Sequence, residues 1–291
     1  MTAATVRDAL AAASDGLAAA GVDEPRLDAE LMLGEAMGCG RAALVAESGA
    51  EVPAAAGRRF GELVRRRLRR EPVAYILRRK GFRNLELMVD RRVLVPRPET
   101  ELLVEVALEL RPARVLDVGT GSGAIALAVA DELPECEVTA TDTSAAALEV
   151  AKANAERLGF TERVRFAEGT LPPPAESERG YDLILANLPY VAERDWSSLQ
   201  PEVTQWEPRD ALLAGPDGLD AYRRYFSDGG RAFRPIAARS SAALVAAVEV
   251  GEGQASAVAE LMRAARFGAV ETRRDLAGVE RVVVGRMEGA A

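Results

Sequence analysis

Asn187-Leu188-Pro189-Tyr190 closes an apolar run, Tyr181 to Leu185, whose length and composition predict a buried strand. A strand that ends this way would carry a side-chain amide, a rigid turn and an aromatic ring to the carboxyl edge of a sheet. In open α/β sheets that edge is where ligands bind. The Asn187 side-chain oxygen and a backbone carbonyl in the turn can both accept hydrogen bonds from one NH2 group, and the Tyr190 ring can lie against the plane of that group. Residues of these types suit the holding of an amino or amide nitrogen while it reacts.

A second cluster lies upstream. Gly119-Thr120-Gly121-Ser122-Gly123 follows the strand-like Arg114-Val115-Leu116-Asp117-Val118 and precedes a helical stretch from Ala124 to Leu133. Glycines there let the backbone approach a ligand closely. Asp142 ends the next strand-like run about twenty residues further on, where a carboxylate can accept two ribose hydroxyls. The spacing differs from the dinucleotide fingerprint Gly-x-Gly-x-x-Gly, with Ala124 in the third glycine's place. It points to an adenosine-type ligand without naming it, and a tight turn in some other α/β protein stays open.

The chain has no histidine, which excludes a Ser-His-Asp triad, a Cys-His pair and a His-ligated metal. Chemistry must come from carboxylates, amides, Tyr, Lys, Cys or a bound cofactor. The two cysteines, Cys39 and Cys136, give neither a disulfide framework nor a metal spacing, which fits a reducing cytoplasm. Met1 to Gly16 lacks the pattern of a signal peptide, and no apolar run is long enough for a membrane span. A net charge of -8 argues against broad nucleic-acid binding.

The elements that must position these clusters fall into three stretches. Residues 1–72 predict a helical bundle: Val6, Leu10, Ala13 and Leu17 recur at helical spacing, Asp23-Glu24-Pro25 opens a second helix through Leu27, Leu31 and Met37 that ends near Gly38, and Pro53 starts a third through Phe60, Leu63 and Leu68. The run Arg65-Arg66-Arg67-Leu68-Arg69-Arg70 favours a solvated helix face over a docking patch. Residues 73–100 predict a β-hairpin linker with strands at Val73–Leu77, Gly81–Phe82, Leu85–Val89 and Val93–Val95. Pro96-Arg97-Pro98-Glu99-Thr100-Glu101 then crowds polar groups into a stiff loop, as a site wall would. From 101 to 291 strands and helices alternate, the pattern of a parallel sheet. Strands are expected at Arg114–Val118, Glu137–Asp142, Arg163–Ala167, up to Leu185 and over Ala242–Val250. Val270–Arg273 and Arg281–Val284 form a closing pair.

Asp117, the glycine turn, Asp142 and Asn187-Leu188-Pro189-Tyr190 together resemble the class I S-adenosyl-L-methionine-dependent methyltransferases that modify NH2 groups. Outside the pocket, Pro25-Arg26-Leu27-Asp28-Ala29-Glu30-Leu31, Val93-Leu94-Val95-Pro96-Arg97-Pro98-Glu99-Thr100-Glu101 and Glu207-Pro208-Arg209-Asp210-Ala211-Leu212 are similar to the release-factor glutamine methyltransferases, the PrmC/HemK family. The likeness spans nearly the whole chain. It implies a Rossmann-like, mostly parallel seven-stranded sheet behind an N-terminal helical bundle and a β-hairpin. It also implies methyl transfer to the side-chain amide nitrogen, N5, of the glutamine in the Gly-Gly-Gln motif of peptide chain release factors. Nucleic acid is then not expected as the direct substrate.

Carried over by position, Asp117, Gly119, Thr120, Gly121, Ser122, Gly123, Asp142, Leu171 and Asn187 would bind the donor. Asn187 and the Leu188 carbonyl would accept from the substrate amide, with Pro189 holding the turn, Tyr190 packing on the amide, and Arg97 and Glu99 forming substrate wall. The chain departs from the family at Leu188, where a proline is usual, and at Thr170, where an acid often follows glycine. Asn-Leu-Pro-Tyr is also the form typical of ribosomal-RNA adenine dimethyltransferases, so an adenine N6-methyltransferase is the alternative. A silent donor-binding assembly factor is a third.

Overall fold

The computed structural model describes residues 4–170, 180–226 and 244–287. They divide into two compact units. One comprises the chain up to Arg79 with Gln200–Trp206; the other comprises Lys80–Leu199 and the chain from Glu207 onward.

The first unit is helical. Helix α1 (Val6–Ala19) opens on Thr5, whose hydroxyl accepts from the Asp8 N–H while the Asp8 carboxylate accepts from the Thr5 N–H, a reciprocal cap that satisfies two otherwise unpaired donors. Its Val6, Leu10, Ala13 and Leu17 are buried as their spacing predicts. Helices α2 (Pro25–Met37), α3 (Arg41–Ala46) and α4 (Ala54–Leu68) follow. Met32, Leu33, Leu44 and Leu63 are almost fully buried among them, each contributing roughly 1.5–3 kcal/mol. Val73–Leu77, expected as a strand, is a fifth helix, α5. Pro72 caps it, and its short apolar run buries Ala74, Tyr75 and Ile76 on a helical face; β-branched composition over five residues could not decide between the two states.

The arginine run is also corrected. Arg66 pairs with Glu71, and Arg67, only 6% exposed, donates to Asp28 at 2.6 Å and to Glu202 at 2.6 Å. Arg70 grips Glu202 through two nitrogens at 2.7 and 2.5 Å. Half of the run is thus internal structure. Glu202 lies on α9 (Pro201–Trp206), far along the chain from the arginines it neutralises.

The second unit begins with a hairpin, β1 (Arg79–Phe82) and β2 (Leu85–Met88), turning at Arg83 with φ 51°. Val93–Val95 was expected to be a strand and is not one. The Val95 N–H is held by the Glu207 carboxylate at 3.2 Å and not by a neighbouring strand. After a single turn, Pro98–Thr100, helix α6 (Glu101–Leu110) leads into alternating strands and helices. These are β3 (Arg114–Val118), α7 (Ala124–Glu132), β4 (Glu137–Asp142), α8 (Ala145–Leu158), β5 (Val164–Glu168), β6 (Leu183–Ala186), α10 (Asp220–Phe226), β7 (Leu244–Glu249), α11 (Ala255–Ala264), β8 (Ala269–Arg274) and β9 (Glu280–Met287).

Seven strands form one sheet in the order β5-β4-β3-β6-β7-β9-β8, with β9 antiparallel to β7 and β8 and the other pairings parallel. All four residues of β6 and all six of β7 are buried, as central parallel strands covered on both faces must be. Tyr222, Tyr225, Phe226 and Phe267 pack over that part of the sheet.

Candidate active site

Strand order and register assemble the site. The chain runs outward from β3 through β4 to β5, then returns to place β6 on β3's other side. Helices therefore leave β3 and β6 in opposite directions, and a crevice opens between the two carboxyl ends. Val118 pairs with Ala186 on one side and with Thr141 on the other. The next residue on each strand is Gly119, Asn187 or Asp142, so the three emerge side by side. A Cβ on Gly119 would stand 3.5 Å from the Asn187 carbonyl oxygen.

The turn after β3 needs its glycines. Gly119, Gly121 and Gly123 have φ of 75°, 56° and 85°, a region that side chains disfavour. At Gly123 an added Cβ would also meet Leu127 Cδ1 at 3.0 Å. The Gly119 and Thr120 N–H groups both donate to the Thr141 carbonyl, at 2.8 and 2.9 Å. Asp142 accepts from the Gly121 N–H at 2.9 Å through one oxygen and from the Ser144 N–H at 2.8 Å through the other. Each oxygen keeps lone pairs for a ligand hydroxyl.

Asp117 lies beneath the turn and is fully buried. Its Oδ2 accepts from Thr120 Oγ1 at 2.6 Å and from the Ala126 N–H at 3.2 Å, while Oδ1 is buried with no hydrogen-bond partner among the described residues. Burial pushes its carboxyl up to about 7 against the pull of those two bonds. A buried acid left half-paired under a glycine turn suits a cationic, adenosyl-bearing ligand above it, so the residues present fit a sulfonium methyl donor.

One cavity of about 850 Å³ joins the pieces. It is lined by Gly119, Thr120, Gly121 and Ser122 of the glycine turn, Asp142, Thr170, Asn187, Leu188 and Pro189, with Arg97 and Thr100 among the other wall residues; Gly123 and Asp117 stand behind that lining. That volume is near the upper end for small-molecule sites and leaves room for a donor and an acceptor side chain. Arg97 is held by Glu207 at 2.5 Å, which fixes the proline-flanked loop as wall. Glu99 does not line the cavity; it lies within electrostatic reach of Tyr190 and Glu249. Tyr190 also lies outside the lining. Its ring rests beside Gly251, where a Cβ would come 3.0 Å from Cδ2, its carbonyl accepts from Gln254 at 2.9 Å, and burial lifts its hydroxyl to about 12. Leu171 lies outside the described residues.

Several supports were missed from sequence. Asn154, fully buried, donates to the Ser122 and Met88 carbonyls at 2.9 Å each and accepts from the Met88 N–H at 2.7 Å, tying the glycine turn to the hairpin. Glu249 and Thr100 stand behind Asn187. The one available signal was an acid in an otherwise apolar strand, Ala246-Ala247-Val248-Glu249-Val250.

The seven-stranded order, the reversal at β3 and β6 and the glycine turn define a class I methyltransferase fold. The PrmC N-terminal domain model matches residues 8–77 and the methyltransferase small domain model matches 98–203. The release factor glutamine methyltransferase of Caulobacter vibrioides is 40% identical over 285 residues, 97% of this chain and 96% of that protein. That of Xylella fastidiosa Temecula1 is 43% identical over 281 residues, 94% and 97% of the two. The chain belongs to the release factor glutamine methyltransferase family. Among solved structures, the hMettl16 catalytic domain in complex with a MAT2A 3′UTR hairpin shares the fold at a TM-score of 0.55, with 15% identity over 70% of this chain and 76% of that one. No helix among the described residues is long and apolar enough to cross a membrane.

Proposed function

We propose that this protein transfers a methyl group from S-adenosyl-L-methionine to the N5 amide nitrogen of the glutamine in the Gly-Gly-Gln motif of peptide chain release factors. The observation that carries the chemistry is the register that sets Asn187 beside Gly119 at the mouth of one cavity. Family membership carries the substrate.

The donor supplies a methyl group on a sulfonium that is already activated. The chain need not generate a strong nucleophile; it has to aim a poor one. The backbone of Gly119, Thr120, Gly121, Ser122 and Gly123 gives the donor a close seat, with Asp117 beneath it and Asp142 accepting the ribose hydroxyls. The Asn187 Oδ1 and the Leu188 carbonyl accept the two N–H bonds of the substrate amide. They turn its nitrogen toward the donor and favour the positive charge that develops there. Pro189 keeps the turn rigid, and Tyr190, anchored outside the lining by Gln254, packs on the acceptor when it is bound. Arg97 borders the acceptor's entry, and Glu99, outside the lining, acts there only through its charge. The bundle of residues 1–72 recognises the release factor, residues 73–100 link it, and residues 101–291 perform the transfer, in the cytoplasm.

Incubation with methyl-labelled donor and a release factor tests this. A single methyl on the Gly-Gly-Gln peptide, lost when that glutamine is replaced, is the expected result. Methylation of RNA or DNA adenine without methylation of the release factor would refute it.

A further inference from the structure

Asn187 can accept from a substrate nitrogen only if its amide is turned with oxygen toward the cavity. A side-chain amide has no intrinsic preference for either orientation, so a neighbour must decide it. Thr100 Oγ1 donates its proton to Glu249 Oε2 at 2.6 Å. A hydroxyl has one proton, and with that proton committed Oγ1 can only accept. It accepts from Asn187 Nδ2 at 3.0 Å, and the same amide lies near enough to the Glu249 carboxylate to favour its charge. Glu249 is 2% exposed and Thr100 4% exposed, so no water competes freely for these bonds. A flipped Asn187 would bring its oxygen against a lone-pair-bearing hydroxyl with a carboxylate close by, losing the Thr100 bond and adding repulsion.

We propose that Thr100 and Glu249 are positioning residues that lock the Asn187 amide with Nδ2 inward and Oδ1 toward the acceptor nitrogen, a one-way relay from carboxylate to hydroxyl to amide. The inference rests on the function proposed above. The relay works only while Glu249 is ionised. A protonated Glu249 donates to Thr100 instead, the Thr100 proton swings to Asn187, and the amide is free to flip. Burial pushes the Glu249 carboxyl up to about 7; Thr100 and Asn187 oppose that, Glu99 adds to it and Arg281 counters it, with the Tyr190 hydroxyl within electrostatic reach and the Tyr222 hydroxyl donating to the Glu249 backbone carbonyl at 2.7 Å. Methyl transfer therefore gains rate as pH rises through about 7.

Three variants of the full chain, Thr100→Val, Thr100→Ser and Glu249→Gln, test the relay, with wild type assayed beside them on a release factor. Donor affinity is read by calorimetry and kcat by labelled transfer. Thr100→Val keeps the shape and loses the hydroxyl, so kcat should fall by up to about 100-fold while donor affinity stays within about threefold. Thr100→Ser restores the hydroxyl and should recover most of the rate. Glu249→Gln should lower the rate at pH 8 and abolish its rise through pH 7. Wild-type kcat in Thr100→Val, equal loss in Thr100→Ser and Thr100→Val, or an unchanged pH limb in Glu249→Gln would each overturn the relay. A wild-type protein inert toward release factor would instead strike the proposed function.

Discussion

Glu202 of the helical unit and Glu249 of the sheet unit are both buried, at 8% and 2% exposure, yet they titrate in opposite directions. Burial raises both. At Glu202 the hydrogen bonds from Arg70 and Arg67 outweigh it and hold the carboxyl below the usual glutamate range. At Glu249 the close partners are a hydroxyl and an amide, and the carboxyl ends near 7. Asp28 lies between the two cases: with only Arg67 against it, burial wins and its carboxyl is raised. The number of guanidinium bonds thus orders the three acids: three at Glu202, one at Asp28 and none at Glu249. A carboxylate saturated by arginine is fixed in charge and serves the fold. One held by neutral donors stays close to its titration point and can serve a reaction.

The comparison breaks first at Arg67. Arg67→Met strands Asp28 and part of Glu202 in a buried site, and should cost about 3–5 kcal/mol of stability in urea unfolding. Transfer per folded molecule should stay near wild type. Next comes Asn187→Ala, which should leave stability and donor affinity nearly intact and lower kcat by about 100- to 1,000-fold, the usual cost of losing a transition-state hydrogen bond. Equal loss of donor binding and turnover would show that Asn187 serves the donor.

The two glutamates separate further with pH. Glu202, depressed in the fold, contributes stability above the unfolded value near 4.5 and loses it as pH falls through its folded value. Glu249, raised from 4.5 to about 7, does the reverse: folding takes up a proton in that window, and its contribution is lost as pH rises through about 7. Glu249→Gln should therefore be more stable than wild type at pH 8, by on the order of 3 kcal/mol at most, and should gain nothing at pH 4. Glu202→Gln should be less stable at pH 8. Unfolding midpoints at the two pH values check both signs. The smallest effect is at Gly123→Ala, where positive φ and the 3.0 Å approach to Leu127 should cost about 1–2 kcal/mol and weaken donor binding.

The chemistry-bearing side chains were legible where they lie close together in sequence. The glycine turn and Asn187-Leu188-Pro189-Tyr190 each carry a local backbone requirement that residue types reveal. The distance between them was not legible, because it depends on strand order, and only the pairing of Val118 with Ala186 brings them together. Glu249 and Thr100 escaped for the same reason: they are far apart in sequence and meet only across the sheet end. The arginine run was misjudged because its acceptors, Asp28 and Glu202, lie in other helices. Val73–Leu77 was misjudged because five apolar residues do not span enough turns to show a period.

The helical unit is completed by a segment from much further along the chain: Gln200–Trp206 belongs to it although more than a hundred residues intervene. A truncated chain ending at Arg79 would contain every helix of the PrmC-type domain and none of the acid that answers Arg70. Such a fragment should be soluble only as a loosened bundle, and adding back residues 200–206 as a peptide should tighten it. Modular exchange of this unit between relatives would have to carry both segments at once.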